Sequence, residues 1–178
     1  MSSLIESSAG AAATATRAAH DASACKASRH ARVQQLITAD ETSLIELETL
    51  VATLPICSTG RVFIEVPDAS WIFDLAVPAR MIVTWLDRSS RTGAPGTGRG
   101  CAPGQALARA VTAWADEMLC DADALCAENS RVCAGGTRIH LLGGFLGTAD
   151  IFDHLVDALG IDASVVATPE RFGLTAAR

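Results

Sequence analysis

Short apolar runs alternate with longer amphipathic segments along the chain from residue 33 onward. The apolar runs predict strands at VQQLITA (33–39), RVFIEV (61–66), MIVTWL (81–86), TRIHLLGG (137–144) and ASVVA (163–167). The segments with apolar residues at helical spacing predict helices at TSLIELETLVATL (42–54), QALARAVTAWADEML (105–119) and TADIFDHLVDAL (148–159). Residues 89–104 are rich in Gly and Pro and predict a long loop.

This alternation of strands and helices predicts an α/β fold. Because each strand is apolar nearly throughout, we expect a three-layer sandwich with a mainly parallel sheet of about five strands, covered on both faces. The first 32 residues differ, since Ala, Ser and Thr dominate and no large hydrophobic residue lies between Ile5 and Val33. We therefore predict a disordered low-complexity tail over residues 1–32 and one domain over residues 33–178.

Ligands of such sheets bind at the carboxyl ends of the strands, near the point where the strand order reverses. Four turns fall at those ends, at residues 39–43, 66–69, 87–91 and 143–147.

The first of these turns contains Asp40, Glu41, Thr42 and Ser43 and no glycine. It therefore lacks the GxGxxG fingerprint that lets backbone approach a dinucleotide's diphosphate, and its two carboxylates would repel phosphate. The simplest interpretation is that Asp40 or Thr42 caps the following helix and that Glu41 interacts with the positive end of that helix.

The third turn begins the most basic part of an otherwise acidic chain. Arg88, Arg91, Arg99 and Arg109 occur with no acidic residue between positions 88 and 115. Such a local positive field could hold a phosphate or a carboxylate-bearing ligand. The alternative is a basic loop that is only solvated.

The fourth turn is permissive because it contains several glycines. Gly143 and Gly144 end a predicted strand, Gly147 follows, and Thr148 or Asp150 could cap the next helix. Such a turn could hold a nucleotide, or it could simply let a helix and a strand pack closely.

Composition excludes several classes of partner. The 178 residues carry a net charge of −6, and residues 1–32 hold four basic and two acidic residues, so the rest carries −8. This acidic body argues against nucleic acid. No apolar run approaches the roughly 18 residues of a membrane helix and the start lacks a secretory pattern, so we expect a cytoplasmic protein with no membrane partner. The six cysteines show no zinc-ligand spacing, which favours free thiols and no metal site.

Several short motifs resemble, in order and spacing, the second domain of the siderophore-interacting proteins, which are relatives of the ferredoxin–NADP reductases. These motifs are Asp40-Glu41-Thr42, Leu54-Pro55, Glu65-Val66-Pro67-Asp68 and Trp85-Leu86-Asp87-Arg88. The agreement covers roughly residues 33–110, and it implies a Rossmann-like domain.

The resemblance also implies a function. Members of that family reduce ferric siderophores, using NADPH or NADH as hydride donor and a flavin as intermediate carrier. Asp40 and Glu41 would be a signature of the family, with Thr42 or Ser43 the ligand donor and Gly143 and Gly144 beside the cofactor. The resemblance further suggests that Arg88 binds the extra phosphate of NADPH or an anionic ferric siderophore.

Two of the places where the sequence departs from the family pattern bear directly on function. The family carries a flavin-binding β-barrel before this domain, whereas residues 1–32 are of low complexity and the sequence contains no tyrosine. We therefore expect that this chain alone does not bind FAD and that any flavin comes from a separate flavoprotein. Phe145 stands where the family has Glu after Ala-Gly, which leaves a degenerate, non-catalytic module that binds a ligand or a protein partner as the alternative function.

Overall fold

The computed structural model describes residues 33–119 and 137–174. The strands are β1 (Gln34–Asp40), β2 (Thr59–Val66), β3 (Arg80–Asp87), β4 (Thr137–Leu141) and β5 (Val166–Ala167). The helices are α1 (Leu44–Ala52), α2 (Gln105–Met118) and α3 (Phe145–Asp153), and α3 continues into a π-helical turn (His154–Ala158).

The five strands form one sheet in the order β3-β2-β1-β4-β5, and every pairing is parallel. This arrangement confirms the predicted α/β fold. The chain winds outward from β1 through β2 to β3, then crosses back to β4 on the other side of β1. The strand order therefore reverses between β1 and β4, and this is the place where sheets of this kind bind ligands.

Hydrophobic side chains cover both faces of the sheet. On one face, α2 and α3 pack on Leu36, Phe63 and Ile139, which alternate with the residues that point to the other side. On the opposite face, α1 packs on Ile37 and Ile64. The connection from β2 to β3 contains no α-helix, and its Leu75 joins this second cluster instead.

The predicted start and caps of α3 are wrong. We expected the helix from residue 148 with Thr148 or Asp150 as N-cap, but α3 begins at Phe145 and its N-cap is Gly144. Thr148 is buried within the helix, and its N–H donates to the Gly144 carbonyl oxygen. The glycine-containing turn enters the helix directly, so the three residues assigned to a loop are its first turn.

The predicted cap of α1 is wrong as well. The N-cap is Ser43, and no side chain forms a capping hydrogen bond there. Asp40 and Glu41 are both engaged elsewhere, as described below. At the other end of the sheet, residues 163–165 of the predicted last strand form a 3-10 turn, and only Val166 and Ala167 pair with β4.

Some predictions fall on parts of the chain that lie outside the described residues. These are the tail at residues 1–32 and four of the six cysteines. Neither Cys57 nor Cys101 forms a disulfide with another described residue. Among the described residues, no helix is both long enough and apolar enough to cross a membrane.

Candidate functional site

Three adjacent strands end in the same kind of turn, in which an Asp accepts hydrogen bonds from a Ser or Thr two residues later. After β1, Asp40 Oδ1 accepts the Thr42 N–H at 2.9 Å and the Thr42 hydroxyl at 2.6 Å. Asp68 does the same for Ser70 after β2, and Asp87 for Ser89 after β3. Such local bonds favour turns over continued strand. The repeated pattern Asp-x-Ser/Thr in the sequence was the signal for these turns.

Asp40 also bridges β1 to the turn after β4. Its second carboxylate oxygen, Oδ2, accepts the Gly144 N–H at 2.6 Å. Ser43 supports the same turn from within, because its hydroxyl oxygen accepts the Asp40 N–H at 3.0 Å. The structure thus brings Asp40, Ser43, Gly143 and Gly144 together at the reversal point, as the sequence predicted for strand ends.

Arg88 lies between two carboxylates. Its guanidinium donates to both oxygens of Glu41, at 2.7 Å and 3.0 Å, and to Glu65 Oε1 at 3.0 Å. The pKa of Arg88 is raised above its ordinary value, chiefly by the hydrogen bonds to Glu41. Burial of the guanidinium lowers this pKa, and the hydrogen bond to Glu65 raises it again. Its side chain is 11% exposed. Arg88 is therefore charged and already paired, and it ties the turn after β1 to the end of β3.

Glu65 also belongs to this site, although the sequence analysis assigned no role to it. Its side chain is fully buried, and its carboxylate accepts the N–H groups of Gly104 and Leu107, each at 2.7 Å. These groups belong to the start of α2, where backbone N–H donors have no partner within the helix. An acidic residue in the apolar run RVFIEV was the available signal, because a buried carboxylate needs partners.

A basic cavity of about 460 Å³ lies beside the start of α2. It is lined by Arg91 and Thr92 of the loop after β3 and by Ala106, Arg109 and Ala110 of α2, together with Ser90. The Arg109 guanidinium donates to the backbone oxygens of Gly93 and Thr92, at 3.1 Å and 2.8 Å. Within the described part of the chain, neither Arg91 nor Arg109 forms an ion pair with a carboxylate. Neither positive charge is neutralised by a carboxylate of the described residues, and Arg91 is exposed, whereas the Arg109 guanidinium is already bonded to the loop.

A second cavity, of about 400 Å³, opens on the α1 face of β4 and β5. Its lining includes His140, Leu142, Glu46 and Arg171. Burial lowers the pKa of His140, and the nearby positive charge of Arg138 lowers it further. The imidazole is therefore neutral near pH 7 in the folded protein.

The lowered pKa of His140 predicts a pH dependence of stability. The unfolded chain binds a proton at His140 near pH 6.5, whereas the folded chain binds it only at lower pH. The free energy of unfolding should therefore fall as the pH falls through this window. We expect His140→Gln to lose less stability than the wild type between pH 8 and pH 5 in urea titrations followed by circular dichroism. Equal losses in the two proteins would contradict this assignment.

The remaining predicted ligand residues differ in their exposure. Thr42 is exposed and Ser43 is buried, so of these two only the Thr42 hydroxyl is accessible to a ligand. Gly144 is exposed, but its N–H is already bonded to Asp40. Among residues 33–119 and 137–174, no three of the His, Cys, Asp and Glu side chains lie close enough together to hold a metal ion.

Comparison with known proteins agrees with this description. A family model described as "Siderophore-interacting protein" matches residues 32–136, more than half of the chain. The chain is similar to the crystal structure of a siderophore utilization protein from T. fusca, with 20% identity and a TM-score of 0.50 over 79% of this chain and 44% of that one. It is also similar to the siderophore-interacting protein SipS from Aeromonas hydrophila, with 17% identity and a TM-score of 0.49 over 77% of this chain and 44% of that one. The chain thus spans less than half the length of these solved structures. No curated protein sequence matches it.

Proposed function

Because the chain belongs to the siderophore-interacting protein family, we propose that it takes part in ferric-siderophore reduction as an NAD(P)H-binding-like domain. The observation that carries this proposal, beyond the family itself, is a pair of arginines at the carboxyl end of the sheet that form no ion pair with a carboxylate of the described residues. In an acidic chain, Arg91 and Arg109 offer a local site for an anionic group of the ligand.

When bound, NADPH or NADH would supply a hydride, that is two electrons, for the reduction of two ferric ions to ferrous ions, by way of a flavin held by a separate flavoprotein. The residues of this chain position the nucleotide. Arg91 and Arg109 bind its anionic part, and the exposed Thr42 hydroxyl contacts it near the reversal point. Arg88 keeps the turn after β1 in place through Glu41.

The basic residues from the third turn onward thereby take different roles. Arg88 remains a candidate for the extra phosphate of NADPH or an anionic siderophore, but its donors to Glu41 and Glu65 would have to be shared. Arg91 is exposed and its guanidinium has no carboxylate partner among the described residues. We therefore place the anion contact on Arg91 and Arg109 and a supporting role on Arg88.

The test is a calorimetric titration of the protein with NADPH and with NADH, for the wild type and for Arg91→Gln. A charge-assisted hydrogen bond contributes about 1.5–3 kcal/mol, so we expect NADPH to bind roughly 10-fold or more weakly to the variant. If the contact is to the extra phosphate, NADH binding should not change. Arg80→Gln is the matched control, because Arg80 is exposed at the opposite end of β3.

One observation favours the second candidate function, a non-catalytic ligand-binding or partner-binding module. The starts of both α2 and α3 bond to carboxylates of the protein itself, Glu65 and Asp40, where nucleotide-binding folds offer these N–H groups to phosphate. Absence of any heat with NADPH or NADH up to millimolar concentration would contradict the first proposal and favour this one.

A further inference from the structure

The carboxylate of Asp40 lies in the crevice between β1 and β4. One carboxylate oxygen, Oδ1, is bonded within its own turn to Thr42, and the other, Oδ2, reaches across the crevice to Gly144. Among the described residues, no Arg, Lys or His forms an ion pair with Asp40. The crevice therefore carries a negative charge that no cation of the described residues neutralises through an ion pair.

The glycines of the fourth turn make room for this carboxylate. A Cβ atom at Gly143, whose φ is +120°, would lie 3.2 Å from both Cγ and Oδ2 of Asp40. A Cβ atom at Gly144 would lie 3.2 Å from the same Oδ2. These distances are shorter than ordinary carbon contacts, so side chains at either position would press against Asp40. The two glycines thus accommodate a group of the protein, which accounts for them without a nucleotide.

We propose that Asp40 is a specificity-determining residue, whose charge disfavours anionic ligand groups in the crevice between β1 and β4. The diphosphate of a dinucleotide is therefore held weakly there, and the crevice prefers neutral or cationic groups. Anionic groups bind instead toward Arg91 and Arg109, beyond the end of β3. This inference rests on the proposed function only where it names a dinucleotide as the ligand. The discrimination against negative charge applies to any anion.

The inference predicts a gain of affinity on mutation, which is the opposite of what a binding residue would show. Removing the charge in Asp40→Asn or Asp40→Ser should tighten binding of inorganic pyrophosphate about 10-fold, since two like charges within several ångströms repel by this order in a partly exposed site. Isothermal titration of each purified full-length variant with pyrophosphate measures the effect. Two variants are needed because Asn preserves size but can present its NH₂ group to the Gly144 N–H, whereas Ser removes that contact.

The chain offers a matched control in Asp68→Asn. Asp68 forms the same turn with Ser70, but it follows β2, which lies on the side of β1 away from β4. Its substitution should leave pyrophosphate affinity unchanged. Circular dichroism of all variants establishes that each is folded before titration.

The outcomes separate this inference from the proposed function. Tighter pyrophosphate binding in both Asp40 variants supports the inference, even if NADPH and NADH never bind and the proposed function fails. If NADPH binds the wild type but neither folded Asp40 variant binds pyrophosphate or NADPH more tightly, the inference is overturned and the proposed function stands. A loss of affinity in both variants would also overturn it, because Asp40 would then contribute to binding.

Discussion

Glu65→Ala is expected to lower the free energy of unfolding by about 3–5 kcal/mol, the range measured when one partner of a buried ion pair is removed. The carboxylate is fully buried and satisfies three donors at once: Arg88, Gly104 and Leu107. Its loss would leave two backbone N–H groups at the start of α2 without their acceptor and Arg88 with Glu41 alone. The effect therefore combines a lost ion pair with a lost helix cap.

Urea unfolding followed by circular dichroism measures this change. Glu46→Ala is the matched control, because Glu46 is 52% exposed and lies 3.9 Å from Arg171, itself exposed. Exposed pairs of this kind contribute about 0–1 kcal/mol, so the control should be close to the wild type. Glu65→Gln keeps the size but not the charge, and we expect an intermediate loss. If Glu65→Ala cost no more than the control, the role of Glu65 at the start of α2 would be wrong.

Gly60→Ala is expected to have an effect of similar size through a different cause. Gly60, in β2, has a φ of +132°, and a Cβ atom there would lie 1.9 Å from the Gln35 carbonyl oxygen in the neighbouring strand β1. No flexible side chain can move aside, because the contact is with the backbone of the neighbouring strand, near the amino ends of β1 and β2. The strands would have to separate where Gln35 pairs with Gly60. Backbone strain and overpacking each cost roughly 1–3 kcal/mol, and we expect them to add here.

A second glycine distinguishes the steric clash from the backbone strain. Gly96 also has a positive φ, +77°, but a Cβ atom there would have no neighbour within 4 Å. Gly96→Ala should therefore show only the conformational cost, about 1 kcal/mol for a left-handed residue that gains a side chain. Thermal and urea unfolding of the two variants give the comparison. Equal destabilisation by both would show that the contact between β1 and β2 at Gly60 does not limit stability.

Most of the fold could be predicted from local sequence patterns. The strands at the centre of the sheet are runs of β-branched and aliphatic residues that are buried on both sides. Their positions can therefore be predicted without knowing which strands pair with them. The beginning of α3 was not readable, because it depends on the bond from the Gly144 N–H to Asp40, 104 residues earlier. The last strand was overestimated because ASVVA has strand composition, whereas only two of its residues reach β4.

The sequence predicted where the candidate site lies, but not which of its side chains form ion pairs and hydrogen bonds with one another. The rule that ligands bind at strand ends selected the turns that contain Asp40 and Arg88, and the structure places both turns at the carboxyl ends of their strands. It could not show that Arg88 pairs with Glu41, because these residues are 47 positions apart and meet only through the alignment of β1, β2 and β3. Glu65 was overlooked for the same reason, since its partners belong to α2.

The middle residue of each Asp-x-Ser/Thr turn is free to vary without loss of the turn. The bonds that define the turn join the first and third residues, and the middle positions after β1, β2 and β3 are Glu41, Ala69 and Arg88. At Ala69 a charge can thus be gained at the rim of the sheet by a single substitution while the turn keeps its bonds, whereas the charges of Glu41 and Arg88 are paired with each other. Divergence of this chain toward a new ligand therefore has an accessible route at three neighbouring positions, and Glu41 and Arg88 must change together along it.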